Sequence, residues 1–250
     1  MYNKIVKELK KYKSKEKAKV LQGFFKTGKG EYGEGDIFIG VKVPEIRIIV
    51  KRFIDVDLDE VKKLLYSNIH EERLAGVLIL TYKFFKSNEK EQKKIYNFYL
   101  KNAKQINNWD LVDLSAPNIV GEYLQSITCH PFDRLRTGSE LVSGSRKILY
   151  KLAKSKNLWE RRISIISTFI FIRNNDFEDT LKISEILLND EHDLIHKAVG
   201  WMLREVGKRN QAVEEKFLKE YYKIMPRTML RYAIERFEED LRQKYLKGKI

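Results

Sequence analysis

Cysteine is nearly absent from this 250-residue chain, with Cys129 the only one. An intramolecular disulfide is excluded, and so is a cysteine-based metal centre. Histidine is scarce as well. His70, His130, His192 and His196 are scattered, and only His192 and His196 stand at the i, i+4 spacing that can chelate a metal on a helix. No H-E-x-x-H pattern accompanies them, so we expect a surface pair on a helix, no metal and no cofactor. No apolar run reaches the roughly 18 residues that a bilayer span needs. The longest, Ile163 to Ile172, is interrupted by Ser164, Ser167 and Thr168. The opening residues, MYNKIVKELKKYKSKEKAKV, carry lysines without an apolar core or a cleavage site. We therefore expect a cytoplasmic protein with no membrane partner.

Strand signals are missing too: nowhere do apolar and polar positions alternate between hairpin turns. The one glycine-rich stretch, Gly28 to Gly40, reads GKGEYGEGDIFIG. It fits neither a dinucleotide fold nor a P-loop, since no strand precedes it and no G-K-[ST] closes it. Its crowded glycines exclude a stable helix there.

What is present is charge and helical periodicity. Lysine and arginine number 49 against 35 aspartates and glutamates, a net charge of +14. That excess points to a polyanionic partner. Hydrophobic residues at 43% make this a folding sequence. Ile5, Val6, Leu9 and Tyr12 share one helical face, and Lys15 to Lys26 reads as a second helix. Pro44 opens a third, with Val43, Ile46, Ile49 and Val50 as its apolar face. Asp57 is placed to cap a fourth carrying Leu58, Val61, Leu64 and Leu65. Leu74, Val77, Leu78, Thr81 and Phe84 mark another helix, and Ile95, Phe98, Tyr99 and Leu100 the next. More helices run from Arg146 to the end. Many helices joined by short links predict an all-α fold, an α-superhelical solenoid of helical repeats over residues 1–250 or an irregular bundle. Residues 128–145, TCHPFDRLRTGSELVSGS, lack any period and read as an inserted surface loop bearing Arg134 and Arg136.

The three tryptophans, Trp109, Trp159 and Trp201, stand 50 and 42 residues apart, close to the about 40–47 of HEAT-type repeats. Each has charged neighbours on its own helical face. Trp109 has Asp113 at i+4, Trp159 has Arg162 at i+3, and Trp201 has Arg204 at i+3, Glu205 at i+4 and Lys208 at i+7. Large aromatics bordered by charge suit a functional surface, although structural pairing accounts for the same pattern. Asn107 to Asp110 reads as a helix start, which gives Asp110 a structural reason to exist. Asp113 has no such reason. In a groove facing DNA a carboxylate repels phosphate, so it serves either chemistry or an arginine partner. Loss of a base from deoxyribose passes through an oxocarbenium-like sugar. A nearby carboxylate stabilises that charge, and tryptophan faces attract cationic character. A purine alkylated at N3 or N7 is already cationic and departs neutral, so one carboxylate suffices where ordinary glycoside hydrolysis uses two.

Four segments carry a family resemblance through nearly the whole chain. Asp36 to Arg47 resembles a G-V-x-x-P-x-x-R element, and Asn108-Trp109-Asp110-Leu111-Val112-Asp113 a W-D-x-V-D element. Asn157 to Arg162 resembles N-x-W-x-x-R, and Lys197 to Glu205 resembles K-A-[IV]-G-W-x-L-R-E. In this order they resemble the HEAT-like DNA alkylation repair glycosylases, the AlkD-like proteins. The resemblance implies a superhelical stack with a concave basic face for duplex DNA. It gives Asp113 the electrostatic catalytic role, sets Trp109 and Trp201 against the lesion-bearing backbone, and puts Arg162 on a phosphate. Arg204 becomes a supporting groove residue, with Trp159 and Lys208 also expected at the DNA. Phe24 stands where the family often carries a DNA-facing tyrosine, so a hydrogen bond to phosphate is lost there.

Three functions compete. The first is a monofunctional, monomeric glycosylase that removes N3- or N7-alkylated purines in base-excision repair. The second is a nucleic-acid-binding solenoid without catalysis. The third is a protein-interaction scaffold, which the positive charge disfavours. Asp113 beside tryptophans separates the first from the second, because a pure binder needs no acid in its groove.

Overall fold

The computed structural model describes residues 1–128 and 140–250. Among the described residues all regular structure is helical, apart from one isolated parallel bridge between Ile37 and Ile69. The expected all-α class holds. No helix among these residues is long and apolar enough to cross a membrane. The residues form two compact units, Met1–Ser115 and Ala116–Ile250.

In the first unit, α1 (Tyr2–Lys10) buries Ile5, Val6 and Leu9. Tyr12 belongs to no helical face, because α1 ends at Lys10, and it is exposed. α2 (Lys15–Phe24) starts at Ser14, whose hydroxyl accepts from the Lys17 amide. It stops short of the expected Lys26, which takes a left-handed φ of 51°. None of its residues is fully buried. Glycine is required at Gly40: its φ is 81°, and a Cβ there would overlap the Ser14 carbonyl oxygen. α3 (Val43–Val50) begins with Pro44 in its first turn, and the Glu45 side chain accepts from the Lys42 amide. α4 (Leu58–Leu65) has Asp57 at its N-cap as expected, but that side chain makes no capping hydrogen bond. Its charge still opposes the helix dipole. α5 (His70–Lys86) is the buried axis of the unit, and Leu74, Val77, Leu78, Thr81 and Phe84 all lie inside as their spacing implied. α6 (Glu89–Lys101) and α7 (Trp109–Ala116) follow.

The second unit opens with a π-helical turn, Pro117–Gly121, and α8 (Glu122–Thr128). Pro117 has no amide hydrogen to give an α-helical bond. The surface loop expected over residues 128–145 falls mostly on residues 129–139, outside the described residues. Thr128 closes α8, its hydroxyl returning a hydrogen bond to the Leu124 carbonyl (3.0 Å), and residues from Glu140 already belong to α9 (Glu140–Ala153). Arg134 and Arg136 lie outside the described residues. Buried Arg146 ties α9 down, donating to Asp176 (2.6 Å) and Asp179 (2.7 Å) with its guanidinium 3.8 Å from the Phe171 ring centre. α10 (Leu158–Ser167), α11 (Phe169–Arg173) and α12 (Glu178–Ile186) lead to α13 (Asp193–Arg209). α13 packs against α14 (Gln211–Tyr221), α15 (Arg227–Ala233) and α10. Gly200 permits the approach of α15: a Cβ there would lie 2.5 Å from the Met229 carbonyl oxygen. α16 (Glu239–Leu246) ends the fold.

Candidate functional site

The start of α7 is where the sequence concentrates its candidates. Buried Asn108 caps it, its side-chain oxygen accepting from the Trp109 amide (2.8 Å). One helical turn on, Asp113 shares a face with Trp109, and both are partly buried. Asp113 lies close enough to Tyr99 that its charge adds to the burial pushing that phenol's pKa up. The Tyr99 hydroxyl meets that of Ser115 (2.8 Å).

Trp109 ends an aromatic column. Its ring stacks on Phe25 (5.2 Å between centres, 17° between planes), and Phe25 stacks on Phe38 (4.9 Å, 20°). Phe24 stands edge-on to Trp109 at 6.0 Å and is 62% exposed. Of the two neighbouring phenylalanines, Phe25 fills the column and Phe24 is exposed.

Beneath the column lies a buried charged network that the sequence did not reveal. His70 opens α5 and stacks on Phe38 (4.5 Å). Its Nε2 meets Asp110 Oδ2 at 2.8 Å, and its Nδ1 meets Asp36 Oδ2 at 3.3 Å. Asp36 also accepts from Arg73 (2.5 Å) and Asn108 (3.1 Å). Burial drives the imidazole pKa down, but the charge and hydrogen bond of Asp110, with Asp36 behind, outweigh it and hold His70 above its ordinary value. Burial likewise raises Asp36, while His70, Arg73 and Asn108 together hold it below the usual carboxylate range. Next to His70, Glu71 turns its carboxylate onto the successive amides of Ile39 (3.1 Å), Gly40 (2.7 Å) and Val41 (3.2 Å). The signal that could have found this network is the run His70-Glu71-Glu72-Arg73: four ionisable residues in the first turn of a helix, directly ahead of the apolar run Leu74 to Leu80. A cavity of about 660 Å³ opens between α2, the segment around Gly40–Pro44 and the start of α5, and His70, Asp110, Phe25 and Phe38 reach its wall. Trp109 and Asp113 do not line it.

The remaining candidates lie in the second unit, on α10 and α13. The Trp201 indole donates to Glu205 (3.1 Å), which also holds Lys208 (2.7 Å). Arg204 pairs with Glu235. The cluster expected from the i+3, i+4 and i+7 spacings is therefore real, with its cations already matched by carboxylates. Trp159 and Arg162, expected at the DNA, are largely buried here. Trp159 is 7% exposed and Arg162 5%, and the Arg162 guanidinium donates to the Leu194 carbonyl (2.5 Å). Through that bond Arg162 links α10 to the start of α13. His192 and His196 are not a helical surface pair: His192 caps α13, its ring accepting from the Leu194 amide (3.1 Å), and His196 meets the Asp190 carbonyl.

No curated protein matches the sequence. One solved structure, described as a predicted DNA alkylation repair enzyme from Enterococcus faecalis, shares the fold with a TM-score of 0.65 at 15% identity, over 91% of this chain and 97% of that one. The family model for DNA alkylation repair enzymes matches residues 5–237. With its all-helical fold and the Trp109–Asp113 helix in place, the chain belongs to the DNA alkylation repair enzyme family.

Proposed function

We propose that this protein is a monofunctional DNA glycosylase that removes cationic N3- or N7-alkylated purines from duplex DNA. The observation that carries this is Asp113 on the same helical face as Trp109, whose ring is braced by Phe25 with Phe24 exposed beside it. Family membership supports a role in alkylation repair, and the net charge of +14 supports a DNA partner.

In this reading the C1′–N bond breaks and its electron pair neutralises the departing base. The Asp113 carboxylate stabilises the oxocarbenium-like sugar, and the Trp109 face adds to that attraction. Water then adds at C1′, releases its proton to solvent, and leaves an abasic sugar. Phe24 gives the DNA an apolar contact. Trp201, Arg204 and Lys208 meet the backbone once the two cations leave Glu235 and Glu205. On α10, Arg162 meets a phosphate beside Trp159, both starting from largely buried positions.

The test is release of base from duplex DNA carrying N7-methylguanine or N3-methyladenine, beside Asp113→Asn. We expect release by the wild type and a loss of roughly 10²-fold in the variant, with DNA binding retained. Salt-sensitive binding without release above the spontaneous rate would replace this reading with a non-catalytic binding protein.

A further inference from the structure

We propose that His70 is a positioning residue for the reaction: by bridging the carboxylates of Asp36 and Asp110 it locks the first turn of α7, and so fixes the direction in which Trp109 and Asp113 are presented. This inference rests on the glycosylase reading for its catalytic consequence, and on geometry alone for the lock.

Both ring nitrogens of His70 face carboxylate oxygens, at 2.8 Å and 3.3 Å. An ionised carboxylate only accepts, whereas a neutral imidazole has one donor and one acceptor. The bridge is therefore complete only as the imidazolium, with a proton on each nitrogen. The charge count agrees: Asp36 and Asp110 face His70 and Arg73, two against two, in a buried space. Loss of the imidazolium proton would leave two carboxylates against one guanidinium and turn one ring contact into lone pair against lone pair. The weak point would be Asp110, since Asp36 keeps Arg73 and Asn108. Asp110 is in the first turn of α7, where its Oδ1 also accepts from the Leu111 amide (2.9 Å). Trp109 precedes it and Asp113 follows within one turn.

The other charged groups around His70 are accounted for. Glu71 is engaged with the Ile39–Val41 amides, and Glu72 accepts from the Tyr2 hydroxyl (2.9 Å). Across the cavity, Glu16, Lys17 and Lys42 form part of the wall. The α7 contact is thus the one that a change in His70 charge would release. Catalysis depends steeply on such alignment: a displacement of ~1 Å can cost about 10²-fold.

The experiment uses the full chain. The nitrogen-15 signals of the His70 ring are followed against pH, and single-turnover base release from an N7-methylguanine duplex is followed over the same range. Wild type, Asp110→Asn and His70→Gln are compared. The lock predicts that wild-type release falls as pH rises through the His70 titration. In Asp110→Asn the amide oxygen still accepts from Nε2 but the charge is gone, so the titration and the alkaline limb of activity move down together. His70→Gln loses the limb and about 10²-fold in rate, with duplex affinity retained. A limb that stays in place in either variant, or wild-type rates in His70→Gln, overturns the proposal. If His70→Gln does not fold, Asp110→Asn decides alone. If the wild type releases no base, the glycosylase reading fails separately, and Trp109 emission in a Trp159→Phe, Trp201→Phe background judges the lock. Emission that tracks the His70 titration supports it, and emission that ignores the titration overturns it.

Discussion

Replacing Glu214 with glutamine should stabilise the protein, and increasingly so as pH rises. Glu214 of α14 is 1% exposed. Its carboxyl packs against Gly207 of α13, and its Oε1 has no hydrogen-bond partner. Burial, with the charge of Glu215 added and that of Arg204 opposing, pushes its pKa from 4.5 up to about 9. Above the lower value the unfolded chain releases this proton while the folded chain keeps it. The native state then binds more protons than the unfolded state, so its stability falls as pH rises, by about 1.4 kcal/mol per pH unit. The loss begins near pH 4.5, reaches roughly 3 kcal/mol at neutral pH, and levels off above about pH 9. Glu214→Gln keeps the shape and removes the titration. Urea unfolding of both proteins between about pH 5 and pH 8 should show near-equal stability at the acid end and a gap that widens by about 1.4 kcal/mol per unit. Parallel curves for the two proteins would refute the buried, protonated acid.

Two further substitutions test the packing of the second unit. Arg146→Met keeps the bulk over Phe171 but leaves Asp179 without its cation, and should cost about 3–5 kcal/mol in denaturant unfolding; an unchanged midpoint would show that the ion pairs are dispensable. Gly200→Ala drives a methyl group to 2.5 Å from the Met229 carbonyl and should destabilise by about 1–3 kcal/mol. Gly23→Ala, in open space on α2, should instead gain about 0.5–1 kcal/mol, and thermal melts of the pair should move in opposite directions.

The helices were legible because burial follows the 3.6-residue period: Leu74 to Phe84 went inside as their spacing implied. The Trp109–Asp113 relation was legible for the same reason, being local to one helix. Spacing does not say whether a shared face looks outward. Trp159 and Arg162 have the same i, i+3 relation as Trp201 and Arg204, yet α10 turns its pair into the core and α13 leaves its pair partly open. Long-range partners were illegible altogether. Asp110 was correctly read as a helix-start residue, but its partner His70 lies forty positions earlier, and Asp36 lies earlier still. Only the folded chain brings them together. Helix ends were also beyond the pattern, since Lys26 leaves α2 through a left-handed backbone and Thr128 and Glu140 bound helices inside a stretch with no period.

Under the proposed glycosylase function, Glu71 bears on how the protein would travel on DNA. Three successive amides converging on one point make a nest that takes an oxyanion. In that reading the positive charge would hold the chain to polyphosphate without regard to sequence, and it would move by exchanging contacts. An open nest at Ile39–Val41 would add a directional, tightly held phosphate contact to that loose set, and would slow each exchange. Glu71 occupies the nest with a carboxylate from the protein itself. The loop keeps the order that an anion confers, and in the proposed function the search for damage would be spared an adhesive spot.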